Sequence, residues 1–148
     1  MNKKTILCAI DFSESSLQAL KWTLNLAQLT HTQITVLFCY RLIAAGDDKE
    51  TLDLKRNMEN EALRKFNEIE KRVIKDRTIS YRFVTEVGFF SHRIEMFIRK
   101  SPVALLVLGN SIIQDFNEYK NFSFEEFLKN NNVPVVIVPD TSLDFIGS

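Results

Sequence analysis

The chain has 148 residues, enough for a single domain with a real core and too few for two ordinary ones. Lysine plus arginine and aspartate plus glutamate both total 19, so the formal net charge is zero and no long basic block is present to neutralise phosphates, which argues against nucleic acid as a main partner. No apolar run approaches the ~20 residues that span a bilayer, and the run after Met1-Asn2-Lys3-Lys4 is too short for a signal peptide and is stopped by Asp11, so the expectation is a cytoplasmic protein with no membrane partner.

In chain order, Ile6 to Ile10 form a continuous apolar run that ends at Asp11-Phe12-Ser13-Glu14-Ser15, after which helical spacing begins. This reads as strand, turn and helix, and in an open parallel sheet such a turn lies at the carboxyl end of a strand, where ligands bind. Asp11 is the first residue to suspect. The simpler role for its carboxylate is to cap the helix or bond the turn, a service Ser13 also offers. Leu17, Leu20, Leu24 and Ala27 mark a heavily buried first helix, and Ile34 to Tyr40 form a β-rich second strand.

Gly46-Asp47-Asp48 punctuates the next connection. Leu54, Met58, Ala62, Phe66, Ile69 and Val73 then stripe a long amphipathic helix, with surface pairs such as Glu61 and Lys65 on its outer face. Ile79, Tyr81 and Phe83 alternate with polar residues, the pattern of an edge strand running from Ile79 to Glu86. Gly88 opens a third helix carrying Phe90, Ile94, Phe97 and Ile98, which Ser101-Pro102 ends. Val103 to Leu108 is uninterrupted and apolar, as a buried central strand requires, and it stops at Gly109. A polar, glycine-free connection leads to a helix with Phe124, Phe127 and Leu128. Val135 to Val138, bounded by Pro134 and Pro139, makes a short fifth strand, and Thr141 to Ser148 reads as a loose tail. Alternating strands and helices imply an α/β fold: one open five-stranded parallel sheet with helices on both faces, in a single domain covering 1–148.

The motifs Ala9-Ile10-Asp11-Phe12-Ser13-Glu14-Ser15, Gly88, Leu105-Leu106-Val107-Leu108-Gly109 and Val133-Pro134-Val135-Val136-Ile137-Val138-Pro139, in that order and over nearly the whole chain, resemble the universal stress protein family. The resemblance implies the strand order 3-2-1-4-5 of a Rossmann-like, adenine-nucleotide alpha-hydrolase-like sheet, with the switch point between strands one and four. It also implies that Asp11 and backbone groups near Tyr40 stand where nucleotide-binding members hold adenosine. Those members follow strand four with Gly-x-x-Gly, about nine residues, and then Gly-Ser or Gly-Thr, a loop whose amides cradle the phosphates. Here Gly109 matches the first glycine, Ile112 stands in place of the second, and the third falls on Asn121 or Phe122, with Phe122 or Ser123 at the hydroxyl position.

Bulk and charge at Ile113, Asp115, Phe116, Glu118 and Tyr119 oppose a triphosphate, with Lys120 the compensating cation. Losing several amide contacts, each worth ~1.5 to 3 kcal/mol, would lower affinity by orders of magnitude. The expected protein is therefore a non-catalytic, regulatory stress-response member with a degraded ATP site. It requires no cofactor and acts through protein contacts and a homodimer formed at Val135, Val136, Ile137 and Val138, an apolar edge that would otherwise invite uncontrolled pairing.

The alternative is an adenine-nucleotide sensor using a vestigial pocket of Asp11, Tyr40, Gly109, Asn110 and Ser123. A nucleotide hydrolase lacks support, because His31 and His92 converge with no nucleophile, carboxylate pair or metal-ligand set. Cys8 and Cys39 lie in apolar strands without metal-ligand neighbours and are expected to be buried free thiols. If the stretch from Ser111 to Phe122 is exposed, its aromatics offer a docking surface; core packing is the plainer account.

Overall fold

The computed structural model describes residues 3–42, 48–118 and 123–140. Five parallel strands, β1 (Thr5–Ala9), β2 (Gln33–Tyr40), β3 (Tyr81–Val87), β4 (Val103–Gly109) and β5 (Val135–Val138), form one sheet in the order β3-β2-β1-β4-β5. Among the described residues five α-helices connect them: α1 (Glu14–Thr30), α2 (Asp48–Ile69), α3 (Phe90–Lys100), α4 (Asn110–Glu118) and α5 (Phe124–Asn130). The strands expected to be central and at the edge occupy those places, and the strand order is the expected one.

Two cores follow from the two-residue period of the strands. On one face, Ile6, Cys8, Ile10, Ile34 and Val36 pack against Leu20, Leu24 and Ala27 of α1 and Phe66 of α2. On the other, Leu7, Ala9, Leu37, Leu106 and Leu108 pack against Ile94 of α3, Ile112 and Phe116 of α4, and Phe124 and Phe127 of α5. Right-handed crossovers between parallel strands produce this division, since the chain moves one way from β1 to β3 and the other way from β4 to β5.

The long helix buries only Ala62 and Phe66. Phe66 lies parallel to Phe83 with ring centroids 4.3 Å apart. Two phenols complete the attachment: Tyr40 donates to Glu59 at 2.7 Å and Tyr81 to Glu70 at 2.6 Å. A π-helical turn, Glu70–Ile74, extends α2 and brings Ile74 into the core. On the outer face Glu61 pairs with Arg64 at 2.6 and 3.1 Å rather than with Lys65, because a guanidinium offers a carboxylate two parallel donors. Lys65 instead lies 5.5 Å from the ring centre of Phe12.

The stretch after β4 is not an open connection, because Asn110 to Glu118 continue directly as α4. The late aromatics belong mostly to the core: Phe116 is fully buried and meets Phe124 and Phe127 edge-on at 5.3 and 5.1 Å, which removes them from any docking surface. The Gly46-Asp47 turn, Tyr119, Lys120, Asn121, Phe122 and the tail at 141–148 lie outside the described residues.

Candidate functional site

The crevice at the carboxyl ends of β1 and β4 is built first by the turn between β1 and α1. One oxygen of the Asp11 carboxylate accepts from the Ser13 amide at 3.0 Å and from the Ser13 hydroxyl at 2.5 Å. Ser13 is also the cap of α1, accepting from the Ser16 amide at 3.2 Å, while the Ser16 hydroxyl accepts from the Asp11 amide at 3.1 Å. Phe12 bridges the two in the left-handed region, with φ of 64°, its ring 4.9 Å from that of Phe38. Burial pushes the Asp11 carboxyl up, but hydrogen bonds from Ser13, Ser111 and Ser16 outweigh it and hold the group below the usual carboxylate range. Asp11 is thus an anion at neutral pH with much of its accepting capacity used within its own turn.

The strand-four side closes on this turn. A Cβ on Gly109 would lie 2.7 Å from both the carbonyl oxygen and the hydroxyl of Ser15, so only glycine lets β4 end against the first turn of α1. The Ser111 amide, at the start of α4, donates to the Ser15 hydroxyl at 3.2 Å, and the Ser111 and Ser13 hydroxyls are 3.0 Å apart. Ile112, at the position of the absent second glycine, is fully buried against the sheet. Helix α4 therefore presents its amino end to Ser13 and Ser15, and its first-turn amide is occupied from within the chain.

Among the described residues, charge at the crevice is mainly negative. Burial pushes the Asp115 carboxyl up, with the Glu118 and Asp11 charges adding to the effect; Arg41 and the Phe90 amide act in the opposite sense. One Asp115 oxygen is buried without a hydrogen-bond partner among the described residues. Arg41, the basic group on this side, stacks over Phe89 with its guanidinium carbon 4.8 Å from the ring centre.

Tyr40 ends β2 with its ring buried and its carbonyl accepting from the Gly88 amide at 2.8 Å. Gly88 takes φ of 136°, a conformation that suits glycine. Asn110 is exposed at the first position of α4. The hydroxyl of Ser123 caps α5 by accepting from the Glu126 amide at 3.1 Å, and no described contact joins it to the Asp11 turn. His31 caps the far end of α1 with φ of 56°, and His92 is exposed on α3.

Both cysteines are free and buried. Burial pushes the Cys8 thiol up to about 12, with the Thr23 hydroxyl a smaller opposing influence. No group of three or more His, Cys, Asp or Glu among the described residues could hold a metal. Ser15 and Ser111 are the partners that sequence reasoning missed; their only signal is a hydroxyl at the second position of each helix flanking the crevice.

The sequence profile of the Universal stress protein family matches residues 2–139. The chain belongs to the universal stress protein family. Among solved structures, this universal stress protein is similar to a family member from Burkholderia pseudomallei, at 20% identity and TM-score 0.64 over 92% of this chain and 96% of that one. It is also similar to universal stress protein UspA from Lactobacillus plantarum, at 17% identity and TM-score 0.65 over 93% and 99% of the two chains. The universal stress protein from Archaeoglobus fulgidus, solved in complex with dAMP, is similar at 16% identity and TM-score 0.55 over 93% and 98%. No curated protein sequence matches this chain at a significant level. No helix among the described residues is long and apolar enough to cross a membrane.

Proposed function

We propose that this universal stress protein is a non-catalytic regulatory protein of the stress response. In this reading it works as a homodimer through protein contacts, and its crevice has lost the phosphate half of an ATP site. The observation that carries this reading is α4. The segment from Asn110 to Glu118 is a helix with Ile112 and Phe116 fully buried, and its Ser111 amide is taken by Ser15. Amides engaged in a helix and a serine cap are not presented to phosphate oxygens, and Asp11, Asp115 and Glu118 repel a polyanion.

Dimerisation is assigned to β5, a four-residue edge strand on which Ile137 is 44% exposed. An apolar edge strand suits pairing with a second copy, and Pro134 and Pro139 limit that pairing to the short segment between them.

A second reading keeps the nucleoside half. The Archaeoglobus fulgidus relative is named as a dAMP complex. In this chain a nucleoside or monophosphate would use the free capacity of the Asp11 carboxylate, the backbone near Tyr40, and Gly109 and Asn110.

Titration of nucleotide-stripped protein with ATP, ADP, AMP and adenosine, followed by heat and melting temperature, tests both. The expected result is no saturable ATP response at millimolar ligand. Saturable ATP binding abolished by Asp11→Ala would overturn the loss of the phosphate site. Binding of AMP or adenosine alone, sensitive to Asp11→Ala, would favour the second reading.

A further inference from the structure

At the opposite end of the sheet from Asp11, a depression of about 270 Å³ opens where β1, β2 and β3 begin. Its floor is polar where the sheet is otherwise apolar. Thr5 and Thr35 are 5% and 1% exposed on the face that, one step further along the strands, carries Leu7 and Leu37. Their hydroxyls are 3.0 Å apart, and Thr5 also reaches the Gln33 carbonyl at 3.2 Å. Arg82 stands beside Thr35 in register and directs its Nε–H to that hydroxyl at 3.4 Å.

The Arg82 guanidinium is also held from the α3 side, its central carbon 5.7 Å from the ring centre of Phe97. With Nε and one ring face engaged, the two terminal amino groups make no hydrogen bond or ion pair among the described residues. Lys3 and Ser101 complete the wall, and among the described residues no carboxylate lines the depression. Arg99 and Lys100, in the last turn of α3, offset the negative end of that helix nearby. A second depression of about 200 Å³ shares Lys3 and Gln33 with the first; Thr78 and Ser80 add hydroxyls there, again with no carboxylate among the described residues.

A cross-strand threonine pair that satisfies itself would account for the hydroxyls alone. It does not account for a guanidinium steadied at one edge with its paired donors unused, nor for two cations meeting several hydroxyls with no acid among the described lining residues. A fork of N–H donors beside hydroxyls is the geometry that binds tetrahedral oxyanions.

We propose that Arg82, Lys3, Thr35, Thr5 and Ser101 form a second ligand site, at the amino-terminal end of the sheet, for a small oxyanion of the phosphate or phosphate-monoester class. Two terminal N–H groups of Arg82 grip two oxygens, Lys3 supplies a point charge, and the hydroxyl of Ser101 donates to a third oxygen. The site is separate from the Asp11 crevice and does not depend on it.

Titration of the full chain with inorganic phosphate at constant ionic strength, followed by NMR of the Arg82 Nε–H and of the Thr35 and Ser101 amides, tests this. Saturable shifts at millimolar phosphate are expected. Arg82→Gln should weaken binding about tenfold or more, through loss of charge-assisted hydrogen bonds, while Arg82→Lys falls between because it keeps the charge without the fork. Asp11→Ala should leave the titration unchanged. Arg82 is exposed, so the variants are expected to retain the wild-type melting temperature, which separates lost binding from lost folding. Absence of saturable shifts, equal affinity in Arg82→Gln, or loss of the response in Asp11→Ala would overturn the proposal.

Discussion

Single residues decide how tightly the crevice and α2 are held. Asp11 is bonded by its own turn before any ligand arrives, and Phe12 accepts a left-handed backbone in exchange for a ring position among Phe38, Phe83 and Lys65. Tyr81 is the clearest handle on pH. Its hydrogen bond to Glu70, helped by burial and the Glu70 charge, raises the phenol from 10.0 to about 12. A phenol that binds its proton more tightly in the folded state adds stability that is complete below pH 10 and lost as pH rises toward about 12. Urea midpoints measured at neutral pH and near pH 12 should therefore converge more closely in Tyr81→Phe than in the wild type. Tyr40 shifts in the same direction and leaves some slope in the variant. The residue types of the crevice were legible in the sequence: Asp11 after the first strand and Gly109 after the fourth. The linkage between them was not, because a Ser13, Ser15 and Ser111 network joins positions 96 and 98 residues apart, and nothing local announces it.

Among the elements, α4 departs most from the sequence expectation. Ile112 and Phe116 stand four apart, the spacing of one helical face, but nine residues with six polar side chains are also what a surface connection looks like. Packing resolves the ambiguity, since the pocket beside Leu108 and Phe90 accepts both side chains. Restoring a glycine by Ile112→Gly is therefore expected to destabilise the protein without creating a phosphate loop. The cavity from a buried isoleucine costs about 2 to 5 kcal/mol and glycine inside a helix about 1 more. A loss of about 3 kcal/mol or more by urea unfolding, with ATP titration unchanged, is the expected outcome. The π-helical turn after α2 was illegible for a different reason. Its i to i+5 bond, Lys75 to Glu70 at 2.8 Å, inserts one residue into an otherwise regular stripe, which no periodicity reports. The strands were legible from apolar patterning in the sequence, continuous from Val103 to Leu108 in β4 and alternating at Ile79, Tyr81 and Phe83 leading into β3.

At the scale of the molecule, the sheet has two edges of unlike character. The β3 edge carries the Arg82 depression, whereas the β5 edge is short and apolar with Ile137 exposed. If two copies pair through β5, Ile137→Lys places a charge at the centre of the interface and should convert a dimer into a monomer at micromolar concentration. Because Ile137 faces outward, the monomer should unfold within about 0.5 kcal/mol of the parent's intrinsic stability. Sedimentation velocity checks both states, and a wild-type monomer would remove β5 from the dimer proposal. Turn chemistry bounds each strand in the sequence, and the family resemblance of the motifs supplied their order in the sheet. Partner choice was not, since four valines and isoleucines read alike in a core and at an interface.

The Ser15 hydroxyl on the Ser111 amide also sets a thermodynamic ceiling. Any anion directed at that amide binds only the fraction of molecules in which α4 has released Ser15, so its apparent affinity is its intrinsic affinity multiplied by that fraction. The opening free energy of α4, which hydrogen exchange at Ser111 reads directly, is then the quantity that converts local stability into ligand selectivity. Ligands that need only Asp11 and the strand ends are not subject to it. The crevice would thus discriminate by how far a ligand reaches, with the fold itself acting as the competitor.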